Sequence, residues 1–158
     1  MTFSQKEIYS RYQKHFTGGE KIRIGVAVAL INLKNEILLE KRSDCGWWGV
    51  TGGKLDLGET VQECAAREIN EECGISIELS NLRLIGVYSN PEEGRILQYP
   101  DNRVHLIDIV YLLRSSFKQL KKSDESIELK FFSFDNLPNL IVPPAVVPLK
   151  DISRVLHE

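Results

Sequence analysis

The 158-residue sequence has few cysteines, no long apolar run and no basic run, and each absence excludes a class of protein. Its three cysteines form no C-x-x-C pair, which argues against a disulfide framework or a zinc site and predicts a reducing cytoplasm. No stretch approaches the roughly 20 apolar residues of a membrane span, and residues 1–16 hold no signal-peptide core. We therefore expect a soluble cytoplasmic protein with no membrane partner.

The charges are nearly balanced, with 20 basic and 22 acidic residues and a formal net charge of -2. Without a basic run, no electrostatic surface is offered to a nucleic-acid backbone, so nucleic acid is not an expected partner. A small phosphate-bearing ligand stays open, because one metal ion can reverse the local charge of an acidic pocket. The length suits one domain with its own core.

Hydrophobic periodicity and turn residues predict an α+β protein, an α/β/α sandwich with one strong helix. That helix covers residues 60–73, with Thr60 and Glu63 as a capping box and Gly74 as its stop. Strands are predicted over 22–31, 36–41, 82–88, 104–113 and 127–134, with loops over 46–53 (with room for a short strand) and 89–103. A short helix over 1–17 belongs to an N-terminal extension (1–20) before the main domain (21–158), and the proline-rich tail stays irregular until a short helix over 151–157.

The strong helix carries three acids, Glu68, Glu71 and Glu72, on one side. A solvated face is the common meaning of such a run, but here each acid lies seven residues, about two turns, beyond a member of the apolar stripe Val61, Cys64 and Ala65. Crowded, partly buried carboxylates repel one another and resist desolvation. Hard divalent cations relieve both problems, so the pattern predicts a site for Mg²⁺, with Mn²⁺ as an alternative.

The loop before the helix adds a second feature. Gly52 and Gly53 let the backbone approach a ligand or offer a carbonyl to a metal, although an ordinary turn would also use them. Glu59 lies just before the helix, where its carboxylate could favour the helix dipole or reach Arg67. The combination of loop and acids, rather than either alone, supports a ligand- or metal-binding site.

Residues 53–75 read GKLDLGETVQECAAREINEECGI and match the Nudix box, G-x5-E-x7-R-E-U-x-E-E-x-G-U with U apolar, at every fixed position. The chain thus resembles the Nudix family, and looser similarity extends over residues 21–140. Two positions depart from the family pattern. Thr51 stands where the loop usually has proline, which makes that turn less rigid, and Asp56 replaces the commoner glutamate with a shorter side chain.

The resemblance implies a Nudix fold and a hydrolase that cuts a nucleoside diphosphate linked to another group. By position, the three helix carboxylates would act in catalysis and hold Mg²⁺ together with the Gly52 carbonyl. Glu59 and Arg67 would pair, beside Gly53, to brace the loop against the helix.

The general base has several candidates. Glu68 or Glu71 could take the proton of the attacking water, and members of the family also use a carboxylate from a later loop. Glu125 and Glu128 lie in that region, and Glu125 is the preferred candidate. Ordinary solvated charge is the alternative for both.

Substrate recognition is expected in the loop from Tyr88 to Arg103 and at Trp47. Aromatics there could stack on a base and arginines could bind phosphate, or the tyrosine could be core and the arginines solvated. The residues concerned are Trp47, Tyr88, Arg95, Tyr99 and Arg103.

Pro91 lies 16 residues after Ile75, a spacing that resembles the branch of the family that hydrolyses ADP-ribose. The leading hypothesis is therefore a pyrophosphatase for ADP-ribose or a nucleotide sugar, a small-molecule partner. A nucleoside triphosphate pyrophosphohydrolase that removes oxidised nucleotides and a non-catalytic nucleotide sensor are the alternatives. A homodimer that uses the N-terminal segment is also left open.

Overall fold

The structure is a computed structural model and describes residues 19–98 and 102–158. The helix predicted over 1–17, a dimer that would use it, and Tyr99 lie outside these residues. The described residues form seven strands and two α-helices: β1 Gly19–Ile31, β2 Ile37–Arg42, β3 Trp48–Lys54, α1 Val61–Cys73, β4 Arg83–Tyr88, β5 Ile96–Gln98, β6 Asn102–Arg114, β7 Ser126–Phe132 and α2 Pro143–Leu156. Among the described residues, no helix is long and apolar enough to span a membrane.

The strands form one mixed sheet in the order β4-β6-β1-β3-β2-β7, with β5 also paired to β6. The long strands β1 and β6 run parallel at its centre, and the remaining pairs are antiparallel. Alternate residues of β1 point to opposite faces, so Val26 and Val28 meet α1 while Ala29 and Ile31 meet α2. Both faces of β1 are covered, which explains its nearly continuous apolar sequence and confirms the predicted α/β/α sandwich.

Helix α1 begins and ends as the sequence predicts. The Thr60 hydroxyl accepts a hydrogen bond from the Glu63 amide at 3.1 Å, and Gly74 ends the helix with a φ of 71°. Cys64, Ala65 and Ile69 lie fully buried against the sheet. The helix is thereby fixed in rotation, and its acids face the end of β3.

The short strand for which the loop prediction over 46–53 left room is present, whereas the loop prediction over 89–103 is wrong in part. Residues 48–54 pair with both β1 and β2 as strand β3, and the buried Thr51 hydroxyl donates to the Val28 carbonyl of β1 at 3.0 Å. Within the loop predicted over 89–103, residues 96–98 pair with β6 as strand β5. β3 is rich in glycine, and β5 has only three residues. Their own sequences favour a strand only weakly, so pairing with the neighbouring strands stabilises them.

The irregular tail is also a wrong prediction, because α2 begins at Pro143, well before residue 151. Pro143 and Pro144 occupy the first helical turn, where a missing N–H costs nothing. Pro148 lies inside the helix and leaves the Pro144 carbonyl without its usual helical partner. Arg95 from outside the helix donates to that carbonyl at 2.7 Å, so a tertiary contact replaces the lost hydrogen bond.

Candidate active site

The three glutamates of α1 are each held through one carboxylate oxygen. The Gly52 amide donates to Glu72 Oε2 at 2.9 Å, and Arg67 Nη1 donates to Glu68 Oε1 at 2.8 Å and to Glu71 Oε2 at 3.4 Å. The second oxygen of each carboxylate receives no hydrogen bond from the described residues. Each side chain is therefore oriented by the protein and keeps one oxygen for another ligand.

Burial makes the ionised form of the carboxylates beside β3 unfavourable. Glu72 is 5% exposed and lies near Glu40 of β2, which is 6% exposed. Burial, with repulsion from Glu40, raises the pKa of Glu72 to about 9. Burial likewise raises the pKa of Glu40, although a 2.8 Å hydrogen bond from the Ser126 hydroxyl opposes the shift. Burial also raises the pKa of Glu68, against the opposing effect of Arg67.

These carboxylates fit a hard divalent cation by their chemistry. Among the described residues, no three His, Cys, Asp or Glu side chains already converge as a closed metal cage. The donors present are carboxylate oxygens, two of them nearly buried, whose charges repel one another and raise their pKa values. A divalent ion of the Mg²⁺ or Mn²⁺ type would neutralise them together, and the unengaged oxygens of Glu68, Glu71 and Glu72 are the available ligands.

Arg67 joins the glycine loop to the helix. Its Nε and Nη2 atoms donate to the two oxygens of Glu59 at 3.0 and 2.7 Å, and Nη2 also donates to the Lys54 carbonyl at 3.0 Å. The Asp56 amide donates to Glu59 at 2.8 Å, which closes the turn. The guanidinium hydrogen bonds hold the pKa of Glu59 at about 2, so this carboxylate stays ionised as the anchor of the loop.

Gly52 and Gly53 are required by close approach. A Cβ added at Gly52 would lie 2.7 Å from the Ala27 Cα, and one added at Gly53 would overlap the Glu68 carboxylate. The strand therefore passes directly against α1, which brings the Gly52 amide to Glu72. The expected use of the Gly52 carbonyl as a metal ligand stays a prediction.

Glu125, the preferred general base, lies on the turn before β7 with its side chain exposed. Its carbonyl accepts hydrogen bonds from the Ser43 amide and hydroxyl at 2.9 and 2.8 Å, which fixes the turn. Its charge contributes to raising the pKa values of Glu68 and Glu72. Its use as the general base stays a prediction.

A cleft opens on the α2 face of the sheet, next to the glycine loop. Its empty space, counted together with the open solvent at its mouth, is about 820 Å³. Gly52, Gly53 and Lys54 form part of its wall, and Arg23 and Arg42 add two further basic side chains. Leucine, valine and proline side chains from β5, β6 and α2 supply an apolar side. The cleft thus combines basic and apolar walls, although Arg42 also donates to both carboxylate oxygens of Asp44 at 3.0 and 2.7 Å. The glutamates of α1 do not line it and adjoin it through Gly52 and Gly53.

Several of these residues were not identified from the sequence: Arg23, Glu40, Arg42, Lys54 and Asp108. One signal was available, because Glu40 ends the apolar run ILLE and a charge in a buried strand marks a functional candidate. The others have ordinary sequence surroundings and meet only when β1, β2, β3 and β6 are aligned in the sheet.

The residues proposed for substrate binding do not gather in this cleft. Trp47 and Tyr88 are each 8% exposed in the core, and the Tyr88 hydroxyl donates to Asp151 at 2.8 Å. Arg95 is fully buried, with Nη1 2.8 Å from Asp108 Oδ2. The expectation that Arg95 presents its charge to phosphate is thereby corrected, because that charge is already matched inside the protein.

Arg103 is exposed and borders a separate hollow, lined also by Lys21, Ile22, Ile96 and His105. This hollow shares no lining residue with the cleft beside the glycine loop. A phosphate-binding role for Arg103 at the acidic cluster is therefore not supported by its position.

Comparison with known proteins places the arrangement in context. A family model described as the NUDIX domain matches residues 21–151. The chain is 36% identical over 144 residues to an ADP-ribose pyrophosphatase of Methanocaldococcus jannaschii, covering 87% of this chain and 78% of that protein. It is 44% identical over 68 residues to a putative 8-oxo-dGTP diphosphatase of Bacillus subtilis, covering 43% and 44%. The crystal structure of a MutT NUDIX hydrolase from Burkholderia pseudomallei superposes with a TM-score of 0.66 at 28% identity, covering 82% and 97%.

Proposed function

Since the chain belongs to the Nudix family of hydrolases, which act on pyrophosphate bonds of nucleotide substrates with a divalent metal, we propose that it hydrolyses ADP-ribose or a nucleotide sugar. Mg²⁺ is the proposed metal. The three cysteines are all free, as a reducing compartment requires, and we place the enzyme in the cytoplasm.

One observation carries this proposal: the cleft meets the acidic cluster at Gly52 and Gly53. A diphosphate lying there would face the basic side chain of Lys54, while the rest of the nucleotide would extend over the apolar part of the cleft. A substrate with a charged centre and less polar ends matches this distribution.

Each side chain of the proposed site has a separate role that follows from its position. Glu68, Glu71 and Glu72 would hold the ion, which when bound supplies Lewis acidity to the diphosphate. Glu125 would accept the proton of the attacking water, and its exposed carboxylate could exchange that proton with solvent. Arg67 and Glu59 keep the loop and helix in register, so the ligand oxygens stay in place.

The choice of ADP-ribose rests on the whole-length relative. The Methanocaldococcus jannaschii protein named ADP-ribose pyrophosphatase aligns across 87% of the chain. In addition, Pro91 opens a 3-10 turn, Pro91–Glu93, at the spacing that resembles the ADP-ribose branch.

A second candidate substrate is an oxidised nucleoside triphosphate. It is favoured by the higher identity, 44%, to the putative 8-oxo-dGTP diphosphatase, although that alignment covers only 43% of this chain. The two activities leave different products. A nucleotide sugar gives a nucleoside monophosphate and a sugar phosphate, whereas a triphosphate gives a monophosphate and inorganic pyrophosphate.

The test is a substrate panel with Mg²⁺ that covers ADP-ribose, nucleotide sugars, dinucleoside polyphosphates and deoxynucleoside triphosphates, with products separated by chromatography. We expect the highest kcat/KM for ADP-ribose, with AMP and ribose 5-phosphate as products. Pyrophosphate as the main product would favour the second candidate. Turnover that is unchanged by chelation of divalent ions would contradict the proposed site.

A matched pair of variants links the activity to the site. Glu72→Gln removes a buried carboxylate of the acidic cluster, whereas Glu63→Gln makes the same change at an exposed position on the other side of α1. We expect kcat to fall by about 100-fold or more in the first variant and to stay within twofold in the second. Equal activity of the two would refute the assignment.

A further inference from the structure

Asp108 lines the cleft and forms an ion pair with Arg95 that uses only one of its two carboxylate oxygens. Its Oδ2 atom accepts the hydrogen bond from Arg95, while Oδ1 receives no donor from the described residues. The side chain lines the cleft and is 17% exposed. One carboxylate oxygen is therefore fixed and the other is offered to whatever occupies the cleft.

Gly25 keeps the space over this oxygen open. On the sheet, Gly25 of β1 lies between Asp108 of β6 and Lys54 of β3. A Cβ added at Gly25 would lie 2.5 Å from Asp108 Oδ1 and 3.3 Å from the Gly53 carbonyl oxygen. Asp108 Oδ1 thus occupies the space that a side chain at position 25 would fill, close to the glycine loop.

Arg95 holds the carboxylate in this orientation. Its guanidinium donates to Asp108 and to the Pro144 carbonyl of α2, and lies 5.7 Å from the ring of Tyr88. Its side chain is 1% exposed, so solvent does not compete for the ion pair. A carboxylate clamped by a buried arginine cannot rotate away from the cleft, which makes it a pre-organised acceptor.

The position of Asp108 selects the part of the substrate that it can contact. Two strand spacings, roughly 10 Å, separate it from the chain of β3 that carries Gly52 and Lys54. A diphosphate at the glycine loop would be repelled by an acid, so the acid faces the adjoining nucleoside. A nucleoside offers N–H donors on its base and O–H donors on its ribose, and both suit a carboxylate acceptor.

We propose that Asp108 Oδ1 accepts a hydrogen bond from the nucleoside of the substrate, from an amine of the base or a hydroxyl of the ribose, and that Arg95 positions it. This inference rests on the proposed function, because it takes the cleft as the site of a nucleoside diphosphate. Asp108 then determines specificity rather than chemistry.

The experiment uses the full-length protein with Mg²⁺ and compares wild type with Asp108→Asn. Inhibition constants are measured for AMP, IMP, 2′-deoxy-AMP and 3′-deoxy-AMP, which differ at the amine or at one hydroxyl. We expect wild type to bind AMP about tenfold or more tightly than one of the three analogues, and the variant to lose that preference. The variant's KM for ADP-ribose should rise about tenfold, with kcat changed less than threefold.

Two further variants protect the test against misfolding. Arg95→Gln combined with Asp108→Asn removes both charges, so no buried charge is left unpaired. Asp135→Asn is a matched control at an exposed acid outside the cleft. The double variant should lose the same discrimination, and the control should keep it.

The outcomes separate the inference from the proposed function. Suppose that ADP-ribose is hydrolysed, so that the proposed function stands. The inference is then overturned if both Asp108 variants discriminate between AMP and its analogues as wild type does. It is also overturned if kcat falls in the variants while KM is unchanged. If only deoxynucleoside triphosphates are hydrolysed, the function is overturned. The inference is then judged by comparing dATP with dITP for the amine and dATP with 2′,3′-dideoxy-ATP for the remaining hydroxyl. A preference that is lost in the variants supports the inference, and preferences that stay unchanged in both comparisons overturn it.

Discussion

Replacing Glu72 with glutamine should stabilise the metal-free protein at neutral and alkaline pH. Glu72 is 5% exposed, and burial together with repulsion from Glu40 raises its pKa to about 9, from an ordinary value of 4.5. Between these two values the folded state holds a proton that the unfolded state has released. The free energy of unfolding therefore falls as pH rises through this window, and the loss is complete above the folded pKa. Glutamine keeps the hydrogen bond from the Gly52 amide and has no charge to desolvate.

The size of the effect is bounded by one proton. One bound proton changes the free energy of unfolding by at most about 1.4 kcal/mol for each pH unit, or about 3 kcal/mol between pH 6 and pH 8. For a chain of this length, that corresponds to a melting temperature lower by roughly 6 to 10 °C at the higher pH. Since Glu40 also has a raised pKa, Glu72→Gln should remove only part of the slope.

The assay is thermal unfolding in chelator at several pH values from 5 to 9, repeated with added Mg²⁺. Glu71→Gln is the matched control, because Glu71 lies on the same helix with its side chain 56% exposed. We expect the control to keep the pH slope of the wild type and Glu72→Gln to flatten it. Added Mg²⁺ should stabilise the wild type most at high pH. Equal slopes for wild type and Glu72→Gln would refute the reasoning.

Three further predictions follow from the contacts around the site. Arg67→Lys loses the paired hydrogen bonds to Glu59 that connect the glycine loop to α1. The Mg²⁺ affinity, measured by titration of activity, should therefore fall by about 10- to 100-fold. An unchanged affinity would show that this connection does not orient the metal ligands. Arg95→Gln leaves the charge of Asp108 without its buried partner and should cost about 3 kcal/mol in urea unfolding, whereas a cost below about 1 kcal/mol would contradict that account. Of the three thiols, only the exposed Cys45 should react with a thiol reagent in the native protein. Cys64 and Cys73 are buried in α1, and this burial raises the pKa of each thiol to about 12. Labelling of all three thiols at equal rates would contradict the packing of α1 against the sheet.

Prediction from sequence succeeded where the determining contacts are close along the chain. The limits of α1 follow from Thr60 and Gly74, and its rotation follows from the apolar stripe that packs on the sheet. The pairing of Arg67 with Glu59 was open in the sequence and is present in the structure, because eight residues of loop and helix bring the two together. The bounds of α2 could not be predicted, since a proline inside a helix is acceptable only when a partner such as Arg95 is known.

The sequence by itself determined the family, the reaction class and the acidic helix, since helical spacing places residues three, four and seven apart on one side whatever the rest of the chain does. The tertiary structure decided which strands adjoin that helix. Glu40 meets Glu72 because β2 lies next to β3, and Asp108 faces the cleft because β6 runs parallel to β1 beside the glycine loop. Strand order is set by the packing of the whole domain. Local sequence patterns therefore cannot predict which residues far apart in the chain become neighbours in the sheet.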